Sequence, residues 1–200
     1  MKKKIVLFSG GRSDFSLLKN IIFRFQNSKK FSTDLIIGPG HFSKKLGFTY
    51  SEIKENKIKN IYKIQSNKIN TSDSGISILI SEIIKKISKI FNKKKYDLAI
   101  VLGDRYEVLA FSFICTLFKI KIAHIHGGEI TLGAYDNQFR DAITKLATLH
   151  FASSKKHQLN IESLNVTHGM IKANGYLFDK IAYISDCNKI SKKVIKKLMN

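Results

Sequence analysis

Residues 98–108 read LAIVLGDRYEV, which is five apolar residues closed by a glycine and followed by charged residues. No polar residue alternates within Leu98–Leu102, so this segment is predicted to be a strand buried on both faces. Strands of this kind belong to parallel sheets that carry helices on both sides. Gly103 ends the run, and the next helix is predicted over residues 106–118.

The same order of apolar strand, turn and helix recurs along the chain. Further strands are predicted at residues 5–9, 34–37, 61–64, 121–125, 150–152 and 171–173, with residues 42–50 irregular. Helices are predicted after the first turn, from about residue 73, over 137–148 and over 155–163, and again in the tail from residue 178. The pattern predicts an α/β fold, a Rossmann-like doubly wound parallel sheet over residues 1–175, with residues 176–200 as a helical tail that starts an interdomain connection.

Charge is the most unusual feature of the composition. The chain has 35 Lys and Arg against 15 Asp and Glu, a formal net charge of +20. Lysines account for almost all of it and lie on predicted helix faces, without the interleaved aromatic residues that stack on bases, so nucleic acid is not an expected partner. Three of the four arginines, Arg12, Arg105 and Arg140, lie in glycine- or acid-bearing loops, where a planar guanidinium recognises phosphate or carboxylate.

Hydropathy and cysteine usage indicate a cytoplasmic protein. No apolar stretch approaches the roughly 20 residues that a membrane span needs, so no membrane association is expected. Residues 5–9 are also too short for the core of a signal peptide. Cys115 and Cys187 have no metal-binding or redox spacing and are predicted to be reduced thiols.

In a doubly wound sheet ligands bind beyond the carboxyl ends of the strands, so the residues there are candidates for a site. After the first strand, Gly10-Gly11-Arg12 could hold an anion at a helix N-terminus, or Ser13 or Asp14 could simply cap that helix. After the second strand, His41 is either a ligand-binding residue or an ordinary loop histidine.

The next strand tip carries Asp104, which either faces the ligand crevice or caps the following helix. Its neighbour Arg105 could pair with Glu107 or with Asp136.

Residues 124–140 add histidines and acids at the tip of the fifth strand. His124 and His126 should point to opposite sides of an extended chain, one into the crevice and one under a helix. Gly127-Gly128 would let backbone approach a ligand closely, and Arg140 lies one helical turn beyond Asp136.

We therefore expect Asp104, His126, Glu129 and Asp136 to converge. Carboxylates beside an imidazole supply what proton transfer at carbon requires, a base, an acid and neighbours that shift their pKa values. A divalent metal is the rival interpretation, but no zinc spacing is present and no metal is predicted.

Five segments resemble one family. They are GGRSDFSLL (10–18), GHFSKKLGFTYSEI (40–53), GDRYEVLA (103–110), AHIHGGEITLGAYDNQFRDAITKLATLHF (123–151) and NGYLFDKI (174–181). They are similar to the hydrolysing UDP-N-acetylglucosamine 2-epimerases, and HIHGGE resembles the sialic- and legionaminic-acid branch. The resemblance implies the N-terminal domain of a glycosyltransferase-B type fold, whose second domain is missing here. It also implies elimination of UDP with loss of the C2 proton, followed by hydration with inversion at C2. No cofactor is predicted, and the turn after the first strand lacks the GxGxxG spacing of a nicotinamide site.

The resemblance also implies roles for individual residues. It implies catalytic roles for Asp104, Glu129 and Asp136 and positions near the nucleotide sugar for Arg12, Asp14 and His41. His126 completes the catalytic candidates, and the substrate-binding candidates added on their positions beyond the strand ends are Arg105, Gly128 and Arg140. His126 is a departure from the members that have glutamate there, and this leaves the identity of the C2 base open. Gly11 and Ser13 depart more mildly from threonine and alanine.

Members of the family are nearly twice as long as this chain. We expect a fragment or one half of a split enzyme, with a separate C-terminal domain chain as partner, a homo-oligomer in the full-length family, and little turnover alone because an open crevice admits water. The substrate is expected to be UDP-N-acetylglucosamine, giving N-acetylmannosamine, or a 2,4-diacetamido analogue. The alternatives are a glycosyltransferase-B type sugar transferase and a non-enzymatic basic binding module.

Overall fold

The computed structural model describes residues 2–44, 48–66 and 71–166 of the chain. Over these ranges strands and helices alternate as the sequence predicts. The strands are β1 (Lys3–Ser9), β2 (Phe31–Ile37), β3 (Ile61–Lys63), β4 (Leu98–Leu102), β5 (Lys121–Ile125) and β6 (Leu149–Phe151). The α-helices are α1 (Arg12–Gln26), α2 (Tyr50–Glu55), α3 (Asp73–Lys93), α4 (Tyr106–Leu117), α5 (Asp136–Leu146) and α6 (Lys155–Ser163), and a 3-10 turn covers Pro39–Phe42.

The six strands form one sheet in the order β3-β2-β1-β4-β5-β6, and every neighbouring pair is parallel. The order reverses between β1 and β4, where Val6 is paired with Ala99. This is the topological switch point at which doubly wound sheets bind ligands. The predicted Rossmann-like α/β fold is confirmed, and all six strands end at the same edge.

Two apolar layers cover the sheet because successive strand residues point to opposite faces. Leu7 packs on one side with Phe15 and other residues of α1. Phe8 packs on the other side with α3 and α4, and its ring stacks on Phe111 at a centroid distance of 4.8 Å. Burial on both faces is the physical reason that the strands read as unbroken apolar runs.

Most boundaries agree with prediction, and the main difference lies after β2. Residues 42–50 were expected to be irregular, and the 3-10 turn and α2 meet only the first and last residue of that range. The difference is α2 itself, because no helix was predicted over Tyr50–Glu55. The predicted strand at 171–173, the helical tail, the boundary at residue 175 and Cys187 lie outside the described residues. Cys115 is a buried free thiol, and within the described ranges no helix is long and apolar enough to cross a membrane.

Candidate active site

The turn after β1 is closed by a carboxylate of its own. Oδ2 of Asp14 accepts hydrogen bonds from the backbone N–H of Gly10 at 2.8 Å and of Gly11 at 3.3 Å. The geometry favours the capping alternative, because a carboxylate already occupies N–H groups that an anion would need. Burial raises the pKa of Asp14 although the bond from Gly10 opposes this. Arg12, the first residue of α1, is exposed.

His41 is fully buried between two loops. Its Nε2 lies 2.8 Å from Oγ of Ser9, and its Nδ1 lies 2.8 Å from Oγ1 of Thr49. Burial lowers the pKa of His41 to about 4, so the imidazole is neutral. Nearby, a Cβ on Gly40 would stand 2.5 Å from the carbonyl oxygen of Gly10, so the two loops pack backbone to backbone. Substrate binding by His41 stays a prediction, and the observed contacts join the loops after β1 and β2.

Asp104 forms a partly buried ion pair with Arg140, whose side chain is the more buried of the two. One guanidinium nitrogen contacts Oδ2 of Asp104, and another donates to the carbonyl of Glu129 and, at 3.2 Å, to Oδ1 of Asn137. The alternative in which Asp104 caps α4 is wrong, because Arg105 occupies the N-cap position and that position has no side-chain cap bond. Arg140 thereby holds the ends of β4 and β5 together.

Arg105 pairs with Glu107, as one of the sequence alternatives predicted. Its Nε and Nη2 donate to the two carboxylate oxygens at 3.1 and 2.8 Å. This bond to buried Glu107 raises the pKa of the guanidinium above its ordinary value, although burial opposes the rise. Only the part of the guanidinium that faces away from Glu107 is left for a ligand.

The two histidines near the end of β5 have different environments. His124 lies under α5, with Nε2 2.8 Å from the carbonyl oxygen of Gly103 and Nδ1 3.2 Å from Oγ1 of Thr144. Complete burial lowers its pKa to about 3. His126 follows the strand with a left-handed backbone (φ 65°), so strand alternation no longer sets its direction.

Glu129 is the centre of a polar cluster. Its Oε1 lies 2.8 Å from Nδ1 of His126 and accepts a hydrogen bond from Oγ of Ser153. Oγ of Ser153 is also 2.7 Å from Nδ1 of His157. Burial raises the pKa of Glu129, but hydrogen bonds from His126 and Ser153 outweigh it and lower the pKa to about 2.

Sequence reasoning missed Ser153 and His157, although a usable signal existed. Both follow β6, so the strand-end rule that selected Asp104 and His126 applies equally to them.

Gly128 is required by packing within the protein. Its φ is +74°, and a Cβ there would stand 2.7 Å from Cγ1 of Ile161 and closer still to the carbonyl oxygen of His157. Nδ2 of Asn160 also donates to the Gly128 carbonyl at 2.8 Å. Close approach of a ligand to Gly128 stays a prediction, and the backbone that approaches it in the structure is that of α6.

Residues 24–199 match the protein family described as UDP-N-acetylglucosamine 2-epimerase. The chain belongs to this family. A relative in Campylobacter jejuni, GDP/UDP-N,N'-diacetylbacillosamine 2-epimerase (hydrolyzing), is 33% identical over 99% of this chain and 51% of its own length. Polysialic acid biosynthesis protein P7 of Escherichia coli is 29% identical over 84% of this chain and 43% of its own.

Solved structures show the same fold. The UDP-GlcNAc 2-epimerase of Neisseria meningitidis, crystallised with UDP-GlcNAc, superposes with a TM-score of 0.72 at 22% identity, over 98% of this chain and 52% of that one. The chain spans about half the length of the curated relatives it matches.

Within this epimerase-family domain, the four residues predicted to converge come together only in part. Arg140 links Asp104 to the backbone of Glu129, and the side chain of Glu129 meets His126. Asp136, the first residue of α5, does not take part in the contacts of this cluster among the described residues. The neighbouring Asn137 organises the loop instead, accepting from the N–H of Thr131 at 2.9 Å. The described residues contain no group of three histidine, cysteine or acidic side chains arranged to hold a metal ion.

Proposed function

We propose that this chain provides the N-terminal part of the active site of a hydrolysing UDP-sugar 2-epimerase. One observation carries the proposal. The imidazole of His126 stands 2.8 Å from the carboxylate of Glu129 at the carboxyl edge of the sheet, in the loop that Arg140 ties to Asp104. An imidazole held by a carboxylate is suited to take a proton and to be stabilised once charged.

His126 is assigned to the C2 proton of the sugar. Its Nε2 takes that proton as the bond from C1 to the UDP oxygen breaks, so the electron pair of the C–H bond forms a C1–C2 double bond and UDP leaves with the C1–O pair. Water then adds hydroxide to C1, and a proton returns to C2 from the opposite face. Asp136 is kept as the candidate for this second proton transfer, on its position at the start of α5.

Arginines are assigned to the charged end of the substrate. Arg12 is exposed at the N-terminus of α1, and Arg105 keeps part of its guanidinium free of Glu107, so both can meet the diphosphate. Asp104 and Arg140 position the loops around the sugar. Asp14, His41 and Gly128 act on the site by shaping it, since their contacts lie within the protein.

The substrate is a UDP-linked N-acetylated amino sugar, UDP-N-acetylglucosamine or a diacetamido relative. The name of the Campylobacter relative supports the diacetylated sugar. We propose that residues 1–175 form one domain, and that a second domain, as a continuation or a separate chain, closes the site in a homo-oligomer. The buried free thiol of Cys115 supports a cytoplasmic location.

The test is turnover in D2O by the full-length protein that contains this chain, with both UDP-sugars. We expect release of UDP together with one deuterium at C2 of the product. His126→Gln should abolish both, whereas Asp141→Asn, an exposed change on α5, should leave both unchanged. UDP release with protium retained at C2 would contradict the proposal and indicate hydrolysis or sugar transfer without a C2 base. The chain alone is expected to release little UDP.

A further inference from the structure

Four side chains join the loop after β5 to the start of α6. Nδ1 of His126 meets Oε1 of Glu129 at 2.8 Å, the same oxygen contacts Oγ of Ser153, and that hydroxyl lies 2.7 Å from Nδ1 of His157. The two imidazoles and the carboxylate are each 27% exposed, so they lie at the surface of the site with one side towards solvent.

The chemistry of these groups determines the direction of every hydrogen bond. Glu129 has a pKa of about 2 and is therefore ionised, so its oxygen can only accept. The single hydroxyl proton of Ser153 must then point to Glu129. With that proton used, the serine oxygen can only accept from His157, whose Nδ1 carries a hydrogen. His126 in turn must donate through Nδ1–H.

A neutral imidazole carries one N–H, so a hydrogen on Nδ1 leaves Nε2 of His126 as an unprotonated base. We propose that Ser153 and His157 are positioning residues which, through Glu129, keep His126 in the tautomer whose bare Nε2 faces the reacting carbon. The catalytic consequence rests on the proposed epimerase function, whereas the tautomer itself does not.

The backbone supports this coupling. Helix α6 lies directly against Gly128, and Nδ2 of Asn160 donates to the Gly128 carbonyl at 2.8 Å. The N–H of His126 donates to the carbonyl of Phe151 at 2.9 Å. The loop that carries His126 and Glu129 is therefore fastened to the segment that carries Ser153 and His157, so the four side chains keep their spacing.

The imidazole nitrogens can be observed directly by long-range proton–nitrogen NMR of the labelled chain at about pH 8, above the ordinary pKa of histidine. The chain has 6 histidines, and single His→Gln variants assign them. In the wild type we expect a protonated Nδ1 and a bare Nε2 for His126. Ser153→Ala and His157→Ala should lower the Nδ1–H fraction. His157→Asn should restore it, because its amide N–H stands where Nδ1–H was.

Ser154→Ala is the matched control. Ser154 caps α6 by accepting from the backbone N–H of His157 at 3.2 Å, so its loss weakens the same helix but removes no contact between the four side chains of the network. The proposal is overturned if wild-type His126 carries its proton on Nε2. It is also overturned if Ser153→Ala and His157→Ala leave the tautomer unchanged, or if Ser154→Ala changes it equally.

In the full-length protein Ser153→Ala should lower kcat about tenfold with KM unchanged. The variant loses the hydrogen bond to the charged Glu129, and that bond is expected to matter in the transition state rather than in substrate binding. The NMR could show the predicted tautomer of His126 while the full-length protein exchanges no proton at C2. That result would leave the positioning role of Ser153 and His157 intact and refute only the epimerase assignment.

Discussion

Gly128→Ala tests whether packing against α6 is what requires a glycine at position 128. Two physical effects act on the new methyl group. The left-handed backbone, φ +74°, disfavours any side chain by about 1 kcal/mol. The methyl group would also lie 2.7 Å from Cγ1 of Ile161 and nearer still to the carbonyl oxygen of His157. Ile161 is fully buried, so relief requires α6 to move, and overpacking of this kind costs about 1–3 kcal/mol.

Gly133→Ala isolates the second effect. Gly133 has nearly the same backbone, φ +76°, but a Cβ there meets nothing within 4 Å. Urea denaturation of both variants should therefore give a larger fall in the free energy of unfolding for Gly128→Ala, by about 2 kcal/mol. Equal losses would show that α6 yields without strain, and would refute the claim that it is held against Gly128.

Three further predictions use the same denaturation assay. Burial lowers the pKa of His150 to about 4, whereas in the unfolded chain it is about 6.5, so the unfolded chain binds more protons as the pH drops. The contribution of His150 to the free energy of unfolding should therefore fall by roughly 1.3 kcal/mol between pH 7.5 and pH 5.5. His150→Leu should remove that share of the fall, and an unchanged pH dependence would contradict this. Arg140→Met should destabilise the protein by about 3 kcal/mol because it leaves Asp104 unpaired, and adding Asp104→Asn should restore part of the loss; no restoration would mean that the pair is not coupled. Tyr96→Phe removes a 2.7 Å bond to the buried carboxylate of Asp34 and should cost about 1.5 kcal/mol, and a loss near zero would show that Lys94 satisfies that carboxylate alone.

The local sequence pattern was sufficient to predict a strand or helix where the signal lies in that segment or directly beside it. The strand Leu98–Leu102 and the helix Lys155–Ser163 were predicted with their observed bounds. The strand is an unbroken apolar run, and the structure shows that Ser154, next to the helix, caps it. The segment that contains α2 carries no comparable signal. It was missed because its one buried residue, Ile53, is set by packing against the sheet.

In the candidate site, too, some features follow from the sequence and others only from the packed structure. Its location at the strand ends follows from topology, so Asp104, His126 and Glu129 could be selected in advance. Which side chains they pair with could not be predicted, because Arg140 contacts Asp104 across 36 positions of sequence and Ser153 contacts Glu129 across 24. No local spacing expresses such distances.

Sequence alone determined the alternation of strand and helix, the parallel sheet and the edge at which its polar residues gather. These follow from the hydropathy of short segments, since a strand covered on both faces must be apolar throughout. Only the tertiary structure decided that Asp14 closes its own turn, that α6 packs against Gly128, and that Glu129 receives hydrogen bonds from both sides. Each of these depends on the distance between groups that the fold brings together, and that distance is a property of the packed chain rather than of any one segment.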